Sequence, residues 1–416
     1  DCLLSRGLGD VYKRQEEIPN IISNLDNSYI YLQGPPGTGK TTQAANAIVE
    51  LIKKNKKVAI TANSHKVIHN LIEKVEITAT EKKVNFKGLK AGRTNDVDTV
   101  YNGKFVVTSS RDTDFIYGVK DKTTLLFAGT KYHLSNGYYD SKIDYLFIDE
   151  AGQISVADLI VLGQIAKNIV LIGDQNQLGQ PTKGSHPGLS GKSILEFLLE
   201  GQDTISEDKG IFLNRTYRLH PKINEFTSSS FYENRLITDE QTKNRKILFK
   251  DKGFFSESGI YYLDMNHEDN IQTSQEECDE IKKIVDGFIG QDYFDGKKNR
   301  KITIKDILII SPYNAQVNLI GFNLKNKEAR VGTIDKFQGQ EAPITIISMT
   351  SSDPENLPRN KEFFFSRNRL NVAISRAQCI SIILFNSNLL KFAPKTVDHV
   401  KLINNFYKIK KKYKKN

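Results

Sequence analysis

One short segment restricts the fold of this chain more than any other: GPPGTGKT at residues 34–41. It follows an apolar run at residues 29–32 and precedes a helical stretch at residues 41–54. Glycines let the backbone N–H groups of such a loop turn inward around phosphate oxygens, and the N-terminus of the following helix favours negative charge. The segment therefore predicts a phosphate-binding loop between a strand and a helix.

The residue types within this loop assign individual roles. Lys40 is expected to reach the β- and γ-phosphates of a nucleoside triphosphate, and the Thr41 hydroxyl is expected to ligate Mg²⁺. A chance glycine-rich turn is the competing interpretation, and the flanking strand and helix argue against it. The predicted nucleotide contacts are Gly34, Pro35, Pro36, Gly37, Thr38, Gly39, Lys40, Thr41 and Thr42.

A second apolar run, at residues 145–148, ends in two acids, Asp149 and Glu150. Ligands of open parallel sheets bind beyond the carboxyl ends of the strands, so we expect both acids near the phosphate loop. Asp149 is predicted to hold Mg²⁺, and Glu150 is predicted to orient and deprotonate the attacking water. The alternative is an acidic N-cap for the next helix.

Apolar runs alternate with helical stretches along most of the chain, in two successive series. Such alternation predicts an α/β fold in which helices cover a parallel sheet, so two series predict two lobes in tandem. Lobe 1 is predicted at residues 16–205, with an irregular insertion at about 76–124, and lobe 2 at residues 206–395. The predicted strands are residues 29–32, 58–61, 125–127, 145–148 and 169–172, then 259–263, 307–310, 329–333, 344–349 and 380–385.

The two ends of the chain differ in composition from the rest. Residues 1–15 resemble a translated adapter, so we expect a non-native leader and a natural protein that continues upstream. Residues 396–416 are predicted to be a basic tail. Seven lysines and no acid lie between residues 401 and 416, and without them the formal charge falls from +10 to +3. A solvated, frayed end with salt-dependent affinity for phosphates is expected.

Composition excludes several classes of protein. No apolar run approaches the ~20 residues that a membrane span requires, and no secretory signal is visible. The three cysteines, Cys2, Cys278 and Cys379, lack metal-ligand spacing and are expected to be reduced thiols. We therefore expect a cytoplasmic protein with no zinc site and no membrane partner.

Further motifs follow the phosphate loop in a fixed order, and together they resemble those of superfamily 1 helicases. The branch they resemble contains the nonsense-mediated-decay RNA helicases and the replication helicase-nucleases. The matching segments are DEAG at 149–152, GDQNQL at 173–178, LNRTYRLHP at 213–221, SPYNAQ at 311–316, VGTIDKFQGQE at 331–341 and NVAISRA at 371–377.

The resemblance implies an ATP-hydrolysing P-loop NTPase of two RecA-like lobes, with ATP and Mg²⁺ bound at the cleft between the lobes. Gln177 would sense the γ-phosphate, and Arg218 and Arg376 would act as arginine fingers from lobe 2. Tyr217 would stack on adenine, and Glu341 would accept a ribose hydroxyl. The alternatives are surface salt bridges for the arginines and core packing for Tyr217.

The resemblance also implies contacts to a nucleic-acid strand. Asn63 and Ser64, within TANSHK at residues 61–66, Thr130 and Thr333 match strand-contacting motifs of the family. Such residues hold phosphates without reading bases, although each could instead be an ordinary helix N-cap. The family also has an adenine-reading glutamine upstream of the phosphate loop, and the only counterpart near that distance is Gln15.

These expectations combine into a function. The resemblance implies an ATP-dependent helicase or translocase that moves along single-stranded DNA or RNA, in the 5′→3′ direction, and that works as a monomer. The alternative is a nucleotide-switched nucleic-acid-binding ATPase that does not unwind duplexes. The motif sequences are similar to those of bacterial helicases fused behind a RecB-like nuclease domain, so we expect such a domain upstream. The sequence of this chain itself contains no set of residues typical of a nuclease site.

Overall fold

The computed structural model describes residues 10–179, 187–250, 254–358, 361–391, 394 and 396–414. The chain divides into two compact units, which we call domain 1 and domain 2. Domain 1 extends to Leu213, and domain 2 begins at Asn214. Two tripeptides, Pro36–Thr38 and Asn176–Leu178, group with domain 2. Within the described residues, no helix combines the length and the apolar character needed to cross a membrane.

Domain 1 alternates strands and helices, as predicted. Its elements are α1 (Asp10–Ser23), β1 (Tyr29–Gln33), α2 (Lys40–Lys53), β2 (Val58–Thr61), α3 (His65–Glu81), β3 (Lys87–Ala91), β4 (Val106–Ser109), α4 (Asp112–Gly118), β5 (Thr124–Ala128), α5 (Lys131–Leu134), β6 (Ile143–Ile148), α6 (Val156–Leu162), β7 (Ala166–Gly173), α7 (Ile194–Leu199) and β8 (Gly210–Phe212).

The sheet of domain 1 has eight strands in the order β4-β3-β5-β2-β6-β7-β1-β8, and every neighbouring pair is parallel. The central strands are continuous apolar runs because helices cover the sheet. Helices α1, α2 and α3 pack their apolar residues against the buried strands in one core, which includes Ile18, Ile48, Leu71, Ile60 and Phe147. The predicted parallel α/β architecture is confirmed.

Domain 2 repeats the alternation around a smaller sheet. Its elements are β9 (Arg215–Thr216), α8 (Pro221–Phe231), β10 (Ile237–Thr238), α9 (Glu240–Lys243), β11 (Lys246–Leu248), β12 (Gly259–Asp264), α10 (Gln275–Phe288), β13 (Asp292–Phe294), β14 (Asn299–Lys301), β15 (Ile307–Ile310), α11 (Asn314–Leu324), β16 (Arg330–Gly332), β17 (Ala342–Ser348), α12 (Lys361–Phe364), α13 (Arg367–Ser375), β18 (Ala377–Phe385) and α14 (Val397–Tyr413).

The main sheet of domain 2 is also wholly parallel, in the order β12-β18-β17-β15-β16. Apolar residues of α10 and α11, among them Ile281 and Ile320, join the buried strands in a second core. A small antiparallel sheet, β11-β13-β14, and a two-strand parallel pair, β10-β9, complete the domain. Both predicted lobes are therefore parallel-sheet domains.

The prediction of an irregular insertion at about 76–124 is wrong. Helix α3 continues to Glu81, and strands β3 and β4 extend the main sheet beyond β5 with parallel register. The sequence concealed these strands because β3 and β4 are short and carry polar residues. A lysine on β3, Lys90, is fully buried, with its ammonium group bonded to His65 and to a backbone carbonyl.

The predicted boundary between the lobes and the predicted frayed tail also need correction. Strand β8 pairs with β1, so residues 206–213 belong to domain 1 rather than to lobe 2. Residues 397–413 form helix α14, whose Phe406 is buried beside Phe385, with ring centroids 5.2 Å apart. Alternation of apolar residues with lysines makes this segment an amphipathic helix rather than a frayed end.

Of the predicted leader, residues 1–9 lie outside the described part of the chain, and residues 10–15 belong to α1. The side chain of Gln15 also lies outside the description. Later residues of the same helix, Ile18 and Ile22, are fully buried in the core of domain 1.

A buried carboxylate fixes the segment between β3 and β4. Both oxygens of Glu76 accept hydrogen bonds: from the Tyr101 hydroxyl at 3.0 Å and from the backbone N–H groups of Lys104, Phe105 and Val106 at 3.1, 2.7 and 2.8 Å. Loops at this depth need partners for their N–H groups, because an unpaired buried donor is costly. One side chain on α3 thus anchors the start of β4.

We expect Glu76→Ala to destabilise domain 1 by about 3 kcal/mol, because it leaves several shielded donors without a partner. Urea unfolding would measure the loss, and hydrogen exchange would locate it at the amides of residues 104–106. The control is Glu81→Ala, an exposed acid on the same helix, for which we expect a change within about 0.5 kcal/mol. Equal effects of both changes would contradict this account of the β3–β4 segment.

Candidate functional site

Strand order in domain 1 brings five chain segments to one edge of the sheet. Strands β5, β2, β6, β7 and β1 are consecutive neighbours and all run in the same direction. Their carboxyl ends therefore lie side by side, which is where ligands bind in open parallel sheets. Thr130 follows β5, Asn63 follows β2, Asp149 follows β6, Gln175 follows β7 and Gly34 follows β1. We call this the carboxyl edge of domain 1.

Backbone hydrogen bonds continue the ladder past the strand ends and fix the spacing of these segments. The N–H of Gly34 donates to the carbonyl of Gly173 at 2.9 Å, and the N–H of Asp149 donates to that of Thr61 at 2.9 Å. The phosphate loop, the acidic pair and the segment after β2 are consequently held by the sheet itself.

The phosphate loop has the backbone conformation that its glycines allow. Gly39, the N-cap residue of α2, has φ of 81°, a left-handed conformation that residues with a side chain rarely adopt. Lys40 begins the helix, and its ammonium group donates to the carbonyl of Gly34 across the loop. A lysine folded back over the loop is positioned for the phosphates that the sequence predicts there.

The acids after β6 occupy different environments. Asp149 is 6% exposed, and one of its carboxylate oxygens accepts a hydrogen bond from the N–H of Glu150 at 2.8 Å. Burial, followed by the charge of Glu150, raises the pKa of Asp149 to about 7, against the opposing charge of Lys40. Glu150 is partly exposed with φ of 52° and makes no side-chain cap, so the N-cap alternative is not observed.

The predicted strand contacts on domain 1 differ in how they are used. Asn63 is exposed, and its amide donates to the Gln153 side chain at 3.2 Å, which links the ends of β2 and β6. Ser64 is the N-cap of α3 and accepts from the N–H of Val67 at 3.4 Å, as the ordinary alternative supposed. Thr130 precedes α5 without a side-chain cap, so the helix does not occupy its hydroxyl.

In domain 2, the predicted arginines and Glu341 form one cluster. The guanidinium of Arg218 pairs with Glu341 and donates to the Ser375 carbonyl at 3.4 Å, while Gln378 donates to Glu341 at 2.7 Å. Burial alone would raise the pKa of Glu341, but the charge of Arg218 and these hydrogen bonds lower it. Arg376, 3% exposed, donates to the Gln340 carbonyl at 3.2 Å. The surface-salt-bridge alternative therefore does not describe Arg376.

This cluster and the remaining predicted strand contact lie at opposite edges of the domain 2 sheet. Glu341 and Arg376 directly precede β17 and β18, at the amino ends of parallel strands. Thr333 directly follows β16, at the carboxyl end, and makes no side-chain cap. The sheet thus separates the residues predicted for nucleotide chemistry from the one predicted for the strand.

The tripeptides that group with domain 2 carry four predicted residues, Pro36, Gly37, Thr38 and Gln177. The N–H of Tyr217 donates to the carbonyl of Gly37 at 2.8 Å, and the amide of Asn368 donates to the carbonyl of Gln177 at 2.7 Å. Tyr217 is 41% exposed, so core packing does not account for it.

Sequence reasoning missed three residues at the carboxyl edge. Gln153 contacts the predicted residue Asn63, and Lys90 contacts His65 two residues further along; neither Gln153 nor Lys90 belongs to a motif that the sequence revealed. Tyr132 is a large exposed aromatic two residues after Thr130. Its position directly after a strand-contacting motif was the available signal, but its exposure depends on the fold.

Comparison with known proteins agrees with this geometry. Two family models, each described as an AAA domain, match residues 11–188 and 191–388. The DNA replication ATP-dependent helicase/nuclease dna2 of Schizosaccharomyces pombe is 26% identical over 393 residues, which are 89% of this chain and 27% of that protein. The DNA polymerase alpha-associated DNA helicase A of the same organism is 24% identical, over 87% of this chain and 61% of that protein. The ATP-dependent helicase upf1 of Schizosaccharomyces pombe is 26% identical, over 86% of this chain and 43% of that protein.

The fold and the two matches define a P-loop protein with two AAA-type domains in tandem. The two AAA-domain matches and the helicase relatives support a superfamily 1 helicase of the Upf1-like type. The chain spans less than two thirds of the length of each of the three relatives named above.

Because the pKa of Asp149 is raised, the acidic pair should lower the free energy of unfolding by an amount that depends on pH. Between about pH 7 and about pH 4 the folded carboxyl binds a proton that the unfolded one does not, so this group stabilises the fold as pH falls and the contribution is lost as pH rises. In EDTA, we expect Asp149→Asn to raise the stability of domain 1 more at about pH 8 than at about pH 5. Urea unfolding at both pH values measures this, with exposed Asp98→Asn as control. A gain of the same size at both values would contradict the raised pKa.

Proposed function

We propose that this chain is an ATP-dependent helicase or translocase that moves along single-stranded DNA or RNA in the 5′→3′ direction. The single observation that carries the proposal is the carboxyl edge of domain 1, where the phosphate loop, the acidic pair and Asn63 follow neighbouring parallel strands. The relatives are named as helicases, which supports the same activity for this chain.

The residues at this edge fit ATP with Mg²⁺. Gly39 keeps the loop backbone open to phosphate oxygens, and Lys40 supplies a positive charge within reach of the loop carbonyl at Gly34. Asp149 is a carboxyl group at a strand end that accepts a hydrogen bond from the N–H of Glu150, and Thr41 offers a hydroxyl; both are ligands that Mg²⁺ accepts. Bound ATP supplies the phosphoanhydride bond whose hydrolysis releases the free energy for movement.

The chain's own residues then have separate tasks. Glu150, partly exposed beside the buried Asp149, would accept a proton from the attacking water. Gln177 would sense the terminal phosphate, and Arg218 and Arg376 would stabilise the negative charge that develops on it. Tyr217 and Glu341 would contact the adenosine moiety. Because the arginines belong to domain 2 and Lys40 to domain 1, hydrolysis would depend on the arrangement of the domains, which is how chemistry can drive movement.

Coupling to the strand has a physical basis in domain 1. The Asn63–Gln153 hydrogen bond joins the segment after β2 to the segment after β6, which also carries the acidic pair. If the acids shift on nucleotide exchange, the Asn63–Gln153 hydrogen bond would transmit the movement to Asn63. Ser64, Thr130 and Thr333 complete the proposed track. The monomeric state and an upstream nuclease domain stay predictions.

A single strand is expected to stimulate ATP hydrolysis by the chain. We expect Glu150→Gln to lower kcat by about 10²–10⁴ because the general base is lost, while the Kd for ATP changes little. Steady-state phosphate release with and without oligonucleotides, and nucleotide binding by calorimetry, measure the two quantities. The control is the exposed acid Glu73, changed to Gln on α3. An ATPase rate that ignores both DNA and RNA would contradict a motor.

Replacement of the buried arginine tests the transition-state role. We expect Arg376→Ala to lower kcat by about 10³–10⁵ with ATP binding retained. Arg300→Ala removes the same charge from a partly exposed side chain that pairs with the buried Asp306, and it should leave kcat unchanged. Urea unfolding of each variant separates a catalytic loss from a folding defect.

Polarity is tested with duplexes that carry a single-stranded tail on one side only. We expect the chain to separate the strands of the duplex that carries a 5′ tail, and to separate few strands of the duplex that carries a 3′ tail. ATPase stimulation without displacement of either duplex would instead support the nucleotide-switched binding module. Faster displacement on the 3′-tailed duplex would contradict the proposed direction.

A further inference from the structure

Beside the predicted strand contacts, domain 1 has an open pocket that no motif assigns. It lies where β3, β4 and β5 end, at the same carboxyl edge as the phosphate loop but on the far side of β2. Its lining includes Gly92 and Arg93 after β3, Ser110 after β4, and Thr130 and Tyr132 after β5. The two strands that the sequence concealed, β3 and β4, therefore build half of this pocket.

Tyr132 is the prominent feature of the pocket rim. It is 78% exposed, and its phenol makes no hydrogen bond within the described residues. A tyrosine with this exposure contributes little to the core, so packing does not explain its presence at the edge. Its neighbour Thr130 offers a hydroxyl that no helix cap uses.

The ring of Tyr132 has one contact that favours its orientation. The Lys131 ammonium lies over the ring, 5.4 Å from its centroid, and forms an ion pair with Asp158 at 2.6 Å. Asp158 also accepts a hydrogen bond from the Ser155 hydroxyl at 2.8 Å, as part of a capping box at the start of α6. An oriented aromatic costs less entropy when it binds a flat ligand than a mobile one does.

Charges around the pocket favour a neutral group inside it. Arg93 is exposed, and its guanidinium has no hydrogen bond or ion pair among the described residues. Two acids, Asp96 and Asp112, also line the pocket. A phosphate in the interior would meet these carboxylates, whereas a nucleobase is uncharged and has edge groups that can donate to them. The Arg93 guanidinium could instead bind a backbone phosphate that lies at the pocket mouth, away from the two carboxylates.

We propose that this pocket binds one nucleobase of a single-stranded DNA or RNA, stacked on the ring of Tyr132. The inference rests on the proposed function and adds to it a base-binding subsite beyond the phosphate contacts. Every base has a flat π face, so the stacking itself is independent of sequence. A base held here lies next to Thr130, which gives the strand a fixed point on domain 1.

Removal of the ring should weaken strand binding. Stacking of one base contributes ~1–3 kcal/mol by alanine substitution, so we expect Tyr132→Ala to raise the Kd about 5- to 150-fold. Tyr132→Phe keeps the ring and should bind like the wild type. Tyr117→Ala is the matched control, because Tyr117 is 71% exposed on α4 of the same domain and does not line the pocket. Fluorescence anisotropy with labelled oligodeoxythymidine and oligouridine of about 12 nucleotides measures the Kd.

An abasic scan of the bound oligonucleotide separates stacking from a structural effect. We expect one position at which loss of the base weakens the wild type and has no further effect on Tyr132→Ala. Equal Kd values for the wild type and Tyr132→Ala, or the same abasic penalties in both proteins, would overturn the subsite and leave the proposed function intact. Failure of the wild type to bind either oligonucleotide would overturn the proposed function as well.

Discussion

Parallel pairing in the first sheet is the constraint on which the other features depend. Because every strand runs the same way, all of the segments that follow the strands come out at one edge. The order β5-β2-β6-β7-β1 then decides which segments are neighbours: the acids after β6 lie between the segment after β2 and those after β7 and β1. The phosphate loop and the proposed strand-binding track can share one support because of this order.

The second sheet uses the same architecture differently. Its arginine and glutamate cluster lies where β17 and β18 begin, while Thr333 lies where β16 ends. Parallel strands give each sheet two chemically distinct edges, and domain 2 presents predicted nucleotide residues at one and a predicted strand contact at the other. A buried arginine such as Arg376 is costly to leave without a partner, and its Nη1 group donates a hydrogen bond to the Gln340 carbonyl.

Much of this could be predicted from the sequence, where a pattern repeats or a motif sets a backbone requirement. Apolar runs such as residues 58–61 gave nearly correct strand bounds, because buried parallel strands are continuous apolar stretches. Strands β3 and β4 escaped because their polar residues find partners only in the folded protein, as Lys90 does with His65. Tyr132 could not be assigned for a related reason: exposure of an aromatic is a property of its neighbours, not of its own residue type.

The central claim is that nucleotide and nucleic acid use adjacent segments of one sheet edge in domain 1. Hydrogen exchange with a non-hydrolysable ATP analogue and Mg²⁺, and separately with a single-stranded oligonucleotide, tests it most directly. The account predicts slower exchange at residues 34–41 and 149–150 with the nucleotide, and at residues 62–65 and 129–132 with the oligonucleotide. Protection by the oligonucleotide that spares residues 62–65 and 129–132, or by the nucleotide that spares residues 34–41, would contradict it.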